Sequence, residues 1–151
     1  MRKKEHKFHL LLMGLSNVHK QYNMQKFYKL GLTTGQPKVL SILYEKEGYL
    51  QKDLAKRCSV EPATMTSLLK KMEEKQLIFK QQESVSGGKK GYGIYLTEAG
   101  RKVAKQINEI VAESEKVCFQ NFKPEEKDMF LKLMARVQNN LKYKLFDEGD
   151  L

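Results

Sequence analysis

Apolar side chains recur at three- and four-residue steps through most of this chain, a spacing that predicts helices. Phe8, Leu11, Leu12, Leu15, Val18, His19 and Tyr22 mark a first helix from about Glu5 to Leu30. In "LGLTTGQPKVLSILYEKEG", Thr33 or Thr34 can cap a second helix, and Thr33 with Gln36 has capping-box spacing. Pro37 is tolerated only in a first turn, and Gly48 ends the element. A short helix over Gln51–Cys58 follows, then a tight turn at Ser59–Glu61. Pro62 opens the next helix, whose Met65, Leu68, Leu69 and Met72 form one stripe. Two short helices joined so closely predict a helix-turn-helix.

The period then changes. "LIFKQQ" (Leu77–Gln82) and "YGIYL" (Tyr92–Leu96) alternate and are rich in aromatic and β-branched residues, which predicts a β-hairpin. Its loop, "ESVSGGKKG", carries Gly87, Gly88, Lys89, Lys90 and Gly91 at or near the tip. A hairpin in this place is a wing. Thr97 caps a long fifth helix with a seam of Val103, Ile107, Ile110, Ser114 and Val117. Pro124 opens a sixth, with Phe130, Leu133, Met134, Val137 and Leu141 as its stripe. The expected class is mainly α (α+β): a winged helix-turn-helix over 33–97, with helical dimerisation segments at 1–32 and 98–151. The end helices are too long for the middle to cover, which favours a twofold homodimer over packing within one chain.

Charge sharpens this picture. Lys and Arg number 28 against 18 Asp and Glu, a formal net charge of +10 in 151 residues. Such a balance favours an anionic partner, nucleic acid first and a membrane surface second. The lysines do not line one face of a strongly amphipathic helix, which weakens the membrane reading. The longest apolar run, "LLLMGL", is too short to span a bilayer, and the basic N-terminus lacks a cleavage pattern. Two cysteines, Cys58 and Cys118, suggest neither a disulfide framework nor a zinc site, so a reducing cytoplasm is expected.

The face of the fourth helix opposite its apolar stripe holds small and hydroxyl side chains, then lysines. A solvated face usually carries long charged residues throughout. The major groove admits one helix, and close approach needs small residues near its N-terminus. Ala63, Thr64, Thr66 and Ser67 suit that need, Lys70 and Lys71 would reach phosphate or a guanine edge, and Lys89 and Lys90 would act from the wing. The expected partner is double-stranded DNA.

"LTTGQPKVLSIL", "QKDLAKRCSVEPATMTSLLKKMEEKQLI" and "YLTEAG" resemble the winged-helix regulators of the MarR (multiple antibiotic resistance) family. The resemblance covers nearly the whole chain and is strongest between residues 32 and 100. It implies a dimeric repressor reading a short palindrome, with DNA affinity set by a small ligand or an oxidant. Three departures stand out. Glu61 replaces the usual Ser or Asp before the proline, a poorer cap. Ser67 stands where many members carry Arg. Gly88 and Lys90 replace the wing's Asp-x-Arg pair, so the wing is expected to hold phosphate more than to read the minor groove.

A ligand pocket of the implied kind would draw on Tyr22, Phe27, Tyr28 and Tyr44, for a small hydrophobic or phenolic effector, although each suits a core as well. His6 and His9 share a helical face, but the family's zinc-sensing branch resembles a ligand set in the fifth helix, which has no His here; no metal or cofactor is expected. Cys58 reads as a small buried hydrophobe, and as an oxidant sensor only if exposed beside Arg57. Cys118 reads as interface or core. "SVSGGKKGYG" lacks phosphate-loop spacing and no catalytic set emerges, so no enzyme is expected. The alternative to an operator-reading regulator is a winged-helix protein-interaction module.

Overall fold

The computed structural model describes residues 7–85 and 87–147, so His6 and the expected helix start at Glu5 lie outside the described residues. The elements run α1 (Lys7–Lys29), α2 (Gln36–Glu45), β1 (Tyr49–Leu50), α3 (Gln51–Cys58), α4 (Pro62–Glu74), β2 (Ile78–Ser84), β3 (Lys90–Leu96), α5 (Glu98–Cys118) and α6 (Pro124–Asp147). The three strands form one antiparallel sheet in the order β1-β3-β2. This is the mainly α winged-helix architecture expected. The chain divides into two compact units after Ser114.

In the first unit the core lies between α2, α3, α4 and the sheet. Val39, Leu40, Leu43, Leu54, Cys58, Met65, Leu69, Met72 and Ile94 are all fully buried there. Each large side chain so buried stabilises by about 1.5–3 kcal/mol. From α5 only Ala104 and Ile107 join this cluster as buried side chains, with Val103 and Ile110 half-buried against it. From α1 only Met24 and Phe27 do so. The apolar residues of α1 do not form the single stripe expected: Leu10, Met13 and Tyr28 lie on other sides of the helix, and Phe8, Leu11, Leu12, Leu15 and Val18 are exposed. The second unit carries α6, which buries none of its residues. Phe119, Phe122 and Phe130 meet edge to face there, with ring centroids 5.3–6.3 Å apart.

Two junctions position the wing. Glu47 Oε1 accepts the Leu96 backbone N–H (2.9 Å) and an Arg101 guanidinium hydrogen (2.7 Å), tying the end of β3 to the loop after α2. On the other side, the Thr97 hydroxyl donates to the Gln76 carbonyl (2.6 Å) and accepts the Gly100 N–H (2.9 Å). Thr97 thus caps α5 as its sequence predicts. β1 was not expected: two residues are too few for an alternation to register, and only pairing with Ile94 and Gly93 defines them.

Gln76 closes α4 with φ +58, a left-handed conformation that costs a side-chain-bearing residue about 1–2 kcal/mol. Its side chain is exposed. Gln76→Gly removes that cost, while glycine's greater freedom in the unfolded chain offsets part of the gain. The variant should be more stable by about 0.5–1 kcal/mol, readable as a rise in denaturation midpoint. An unchanged or lower midpoint would count against the strain.

Candidate nucleic-acid interface

The turn between α3 and α4 is set by backbone geometry. Ser59 adopts φ +53, and the Val60 N–H bonds back to the Ala55 carbonyl at 2.9 Å, closing α3 in a left-handed cap. Glu61 is extended, makes no side-chain capping bond, and passes the chain to Pro62. The chain lacks a good cap here, as Glu61 suggested. With Met65, Leu68, Leu69 and Met72 turned into the core, Ala63, Thr64, Thr66, Ser67, Lys70 and Lys71 are all exposed on the opposite side. Among the described residues neither Lys70 nor Lys71 makes an ion pair.

One of these side chains is less free than its sequence position suggests. The Thr66 hydroxyl donates to the Pro62 carbonyl (3.1 Å) and accepts from Gln51 Nε2 (2.7 Å). Its hydrogen is therefore committed within the chain. What Thr66 offers outward is its methyl group and one remaining lone pair. Thr64 and Ser67 carry no such bonds among the described residues.

The wing is longer in strand and shorter in loop than its alternation indicates. Pairing continues to Ser84 opposite Lys90, and the Val85 N–H bonds to the Lys89 carbonyl at 2.8 Å. Lys90 therefore opens β3 instead of sitting at the tip, and Gly91 lies within the strand; Lys89 stays in the loop, and both lysines are exposed. The register puts Lys80, Gln82 and Ser84 of β2 on one face with Ile94, Tyr92 and Lys90 of β3. At the base of this face, Leu50, Gln51, Lys52, Lys80, Tyr92 and Ile94 line a recess of about 220 Å³. Gln51 joins that recess to α4 through Thr66. Lys80 also pairs with Glu73 at 3.4 Å, and Tyr92 is 57% exposed. Sequence reasoning missed Gln51, Lys52, Lys80 and Tyr92, whose proximity depends on strand register and on β1.

The profile described as the MarR family matches residues 32–86, the stretch that holds α2 to β2. The uncharacterized HTH-type transcriptional regulator YybA of Bacillus subtilis (strain 168) is 32% identical over 116 residues, 77% of this chain and 76% of that protein. The chain belongs to the MarR family. As a MarR-family protein it is a helix-turn-helix transcriptional regulator. The MarR protein from Peptoclostridium difficile DA00132 superposes with a TM-score of 0.84 at 25% identity, over 97% of this chain and 95% of that one. The S. aureus MepR–DNA complex shares the fold at a TM-score of 0.76 and 24% identity, over 88% of this chain and 97% of that one.

The residues expected to line a ligand pocket are differently disposed. Phe27 is buried in the core, Tyr44 packs half-buried against it, and Tyr28 is exposed. Tyr22 faces outward, with Lys26 Nζ 4.4 Å above its ring and 3.3 Å from its hydroxyl. The recess between α1 and α5, about 310 Å³, is lined instead by Lys26, Leu30, Gln106, Glu109, Ile110 and Glu113. Cys58 is fully buried, and burial pushes its thiol pKa up; Lys38 and Arg57 pull it down without offsetting that. It stays a neutral thiol at physiological pH, unsuited to oxidant sensing. Cys118 is exposed in this chain, not core. His9 and His19 are exposed, and His19 Nε2 lies 3.2 Å from Asn23 Nδ2, which can only donate to it. No group of metal-binding side chains occurs among the described residues, and none of their helices is long and apolar enough to cross a membrane.

Proposed function

We propose that this chain is a homodimeric, sequence-specific DNA-binding repressor of a short palindromic operator. Residues 33–97 act as the reading domain, and 1–32 and 98–151 as dimerisation segments. The bare outer face of α4 carries this reading. Six side chains expected to touch DNA are exposed together, and the small ones lie toward the helix N-terminus, where a groove-bound helix approaches most closely. Dimerisation is supported by the uncovered apolar side chains of α1 and of α6, among them Leu11, Leu15, Val18, Met134, Val137 and Leu141. In a dimer the two α4 helices address half-sites about one helical turn, roughly 34 Å, apart. A small hydrophobic or phenolic effector would release DNA by favouring a spacing that does not match.

The test is fluorescence anisotropy on a duplex that the protein selects from a random-sequence pool, against a scrambled duplex, over a range of salt. Steep loss of affinity with salt and strong preference for the selected duplex are expected. Lys90→Ala should weaken both duplexes by similar factors, as a phosphate contact does. Thr64→Ala or Ser67→Ala should relax preference at particular base pairs, by about 1–3 kcal/mol for a good contact. Equal binding of every duplex by the wild type would reject operator recognition. Failure to bind any duplex at low salt would favour the protein-interaction module.

A further inference from the structure

The loop between α1 and α2 meets α4 at two points, the buried Leu68 and the exposed C-cap residue Lys75. At the first, Gly35 sits so close to Leu68 that an added Cβ would lie 3.0 Å from Leu68 Cδ1. At the second, Lys75 Nζ donates to the Gly31 carbonyl at 2.6 Å and to Gln36 Oε1 at 3.1 Å. Leu68 and Lys75 are seven residues apart, two helical turns along the same side of α4. Between the two points Leu32 is buried in the core.

The second fastening has a definite polarity. Gln36 Oε1 also accepts the Thr33 backbone N–H at 3.0 Å, so two donors fix that atom as the oxygen. Gln36 itself is fully buried, and its Nε2 has no hydrogen-bond partner among the described residues. The amide is therefore held in place through its oxygen alone. An ammonium, with three hydrogens in tetrahedral array, serves the Gly31 and Gln36 oxygens together. Lys75 is also the capping residue of α4, its own N–H bonded to the Lys71 carbonyl at 3.1 Å.

We infer that Lys75 is a positioning residue for operator recognition, a latch that sets how α4 is presented by fastening it to the α1–α2 loop. This rests on the DNA-reading function proposed above. The test compares wild type, Lys75→Met and Lys75→Arg on the wild-type-selected duplex and on its scrambled counterpart, and follows amide hydrogen exchange at Thr33 without DNA. Lys75→Met should lower the ratio of selected to scrambled affinity by about tenfold, and speed Thr33 exchange, while Lys75→Arg keeps both near wild type. Simple loss of charge or of folded protein would weaken both duplexes equally and leave the ratio unchanged. An unchanged ratio for Lys75→Met, unchanged Thr33 exchange, or a Lys75→Arg variant as impaired as Lys75→Met would overturn the latch. A wild type that prefers no duplex would instead remove the DNA reading beneath it, whatever Thr33 exchange showed.

Discussion

Replacing Gly100 with alanine should destabilise the protein by about 3–5 kcal/mol, a large share of the roughly 5–15 kcal/mol that holds a domain folded. A Cβ on this residue would stand 1.9 Å from the Leu77 carbonyl oxygen and 2.9 Å from its carbon. Those are backbone atoms and cannot turn aside as a side chain does. The same oxygen accepts the Thr97 N–H at 3.1 Å. α5 must therefore retreat from the start of β2. Retreat loosens the Thr97 cap, the hydroxyl bond to Gln76 and the packing of Ala104 and Ile107 in the core. Overpacking in a yielding core costs about 1–3 kcal/mol; an unyielding carbonyl puts this case above that range. Urea denaturation followed by circular dichroism measures the difference. A loss below about 1 kcal/mol would mean that α5 backs away freely and that the "LTEAG" glycine has another purpose.

That motif illustrates what the chain's residues disclose directly. Pro62, Pro124 and the capping bond of Thr97 act within one turn, and the stripe from Met65 to Met72 repeats at helical spacing, so local spacing reveals them. Polar strand ends are less legible. Glu83, Ser84 and Lys90 extend the wing past the point where alternation stops, because both sheet faces there meet solvent and no burial pattern is imposed. Long-range polar bonds are hidden altogether. Nothing near Lys75 in sequence points to Gly31, 44 residues away, and nothing near Thr66 announces that Gln51 occupies its hydroxyl. Stripes also do not reveal what covers them. The stripes expected on α1 and α6 are uncovered in the chain, and the α1 side chains that do pack, Met24 and Phe27, lie outside the expected stripe. The candidate DNA-facing residues of α4 are legible as a helix face, whereas Gln51, Lys52, Lys80 and Tyr92 share a recess, joined to that face through Gln51 and Thr66, only once β1 and the wing register exist.

Ala63→Glu separates folding from recognition at that face, because the two respond in opposite directions. Ala63 is the second residue of α4, exposed, in a first turn that holds no acidic side chain. A carboxylate there meets the positive end of the helix dipole and should stabilise the fold by about 0.3–1 kcal/mol. Against DNA the same group brings a negative charge and greater bulk to the place where α4 must come closest. Unpaired charge at a desolvated contact costs several kcal/mol, and about 3 kcal/mol corresponds to more than a hundredfold in affinity. The variant should therefore melt at or slightly above the wild-type temperature and lose at least about a hundredfold in affinity for the selected duplex. Ala63→Gln, equal in size without the charge, should fall between the two, since bulk and charge each oppose close approach. If Ala63→Glu kept wild-type affinity while remaining folded, α4 could not lie in the groove by its N-terminal half. The small side chains from Ala63 to Ser67 would then need a different partner.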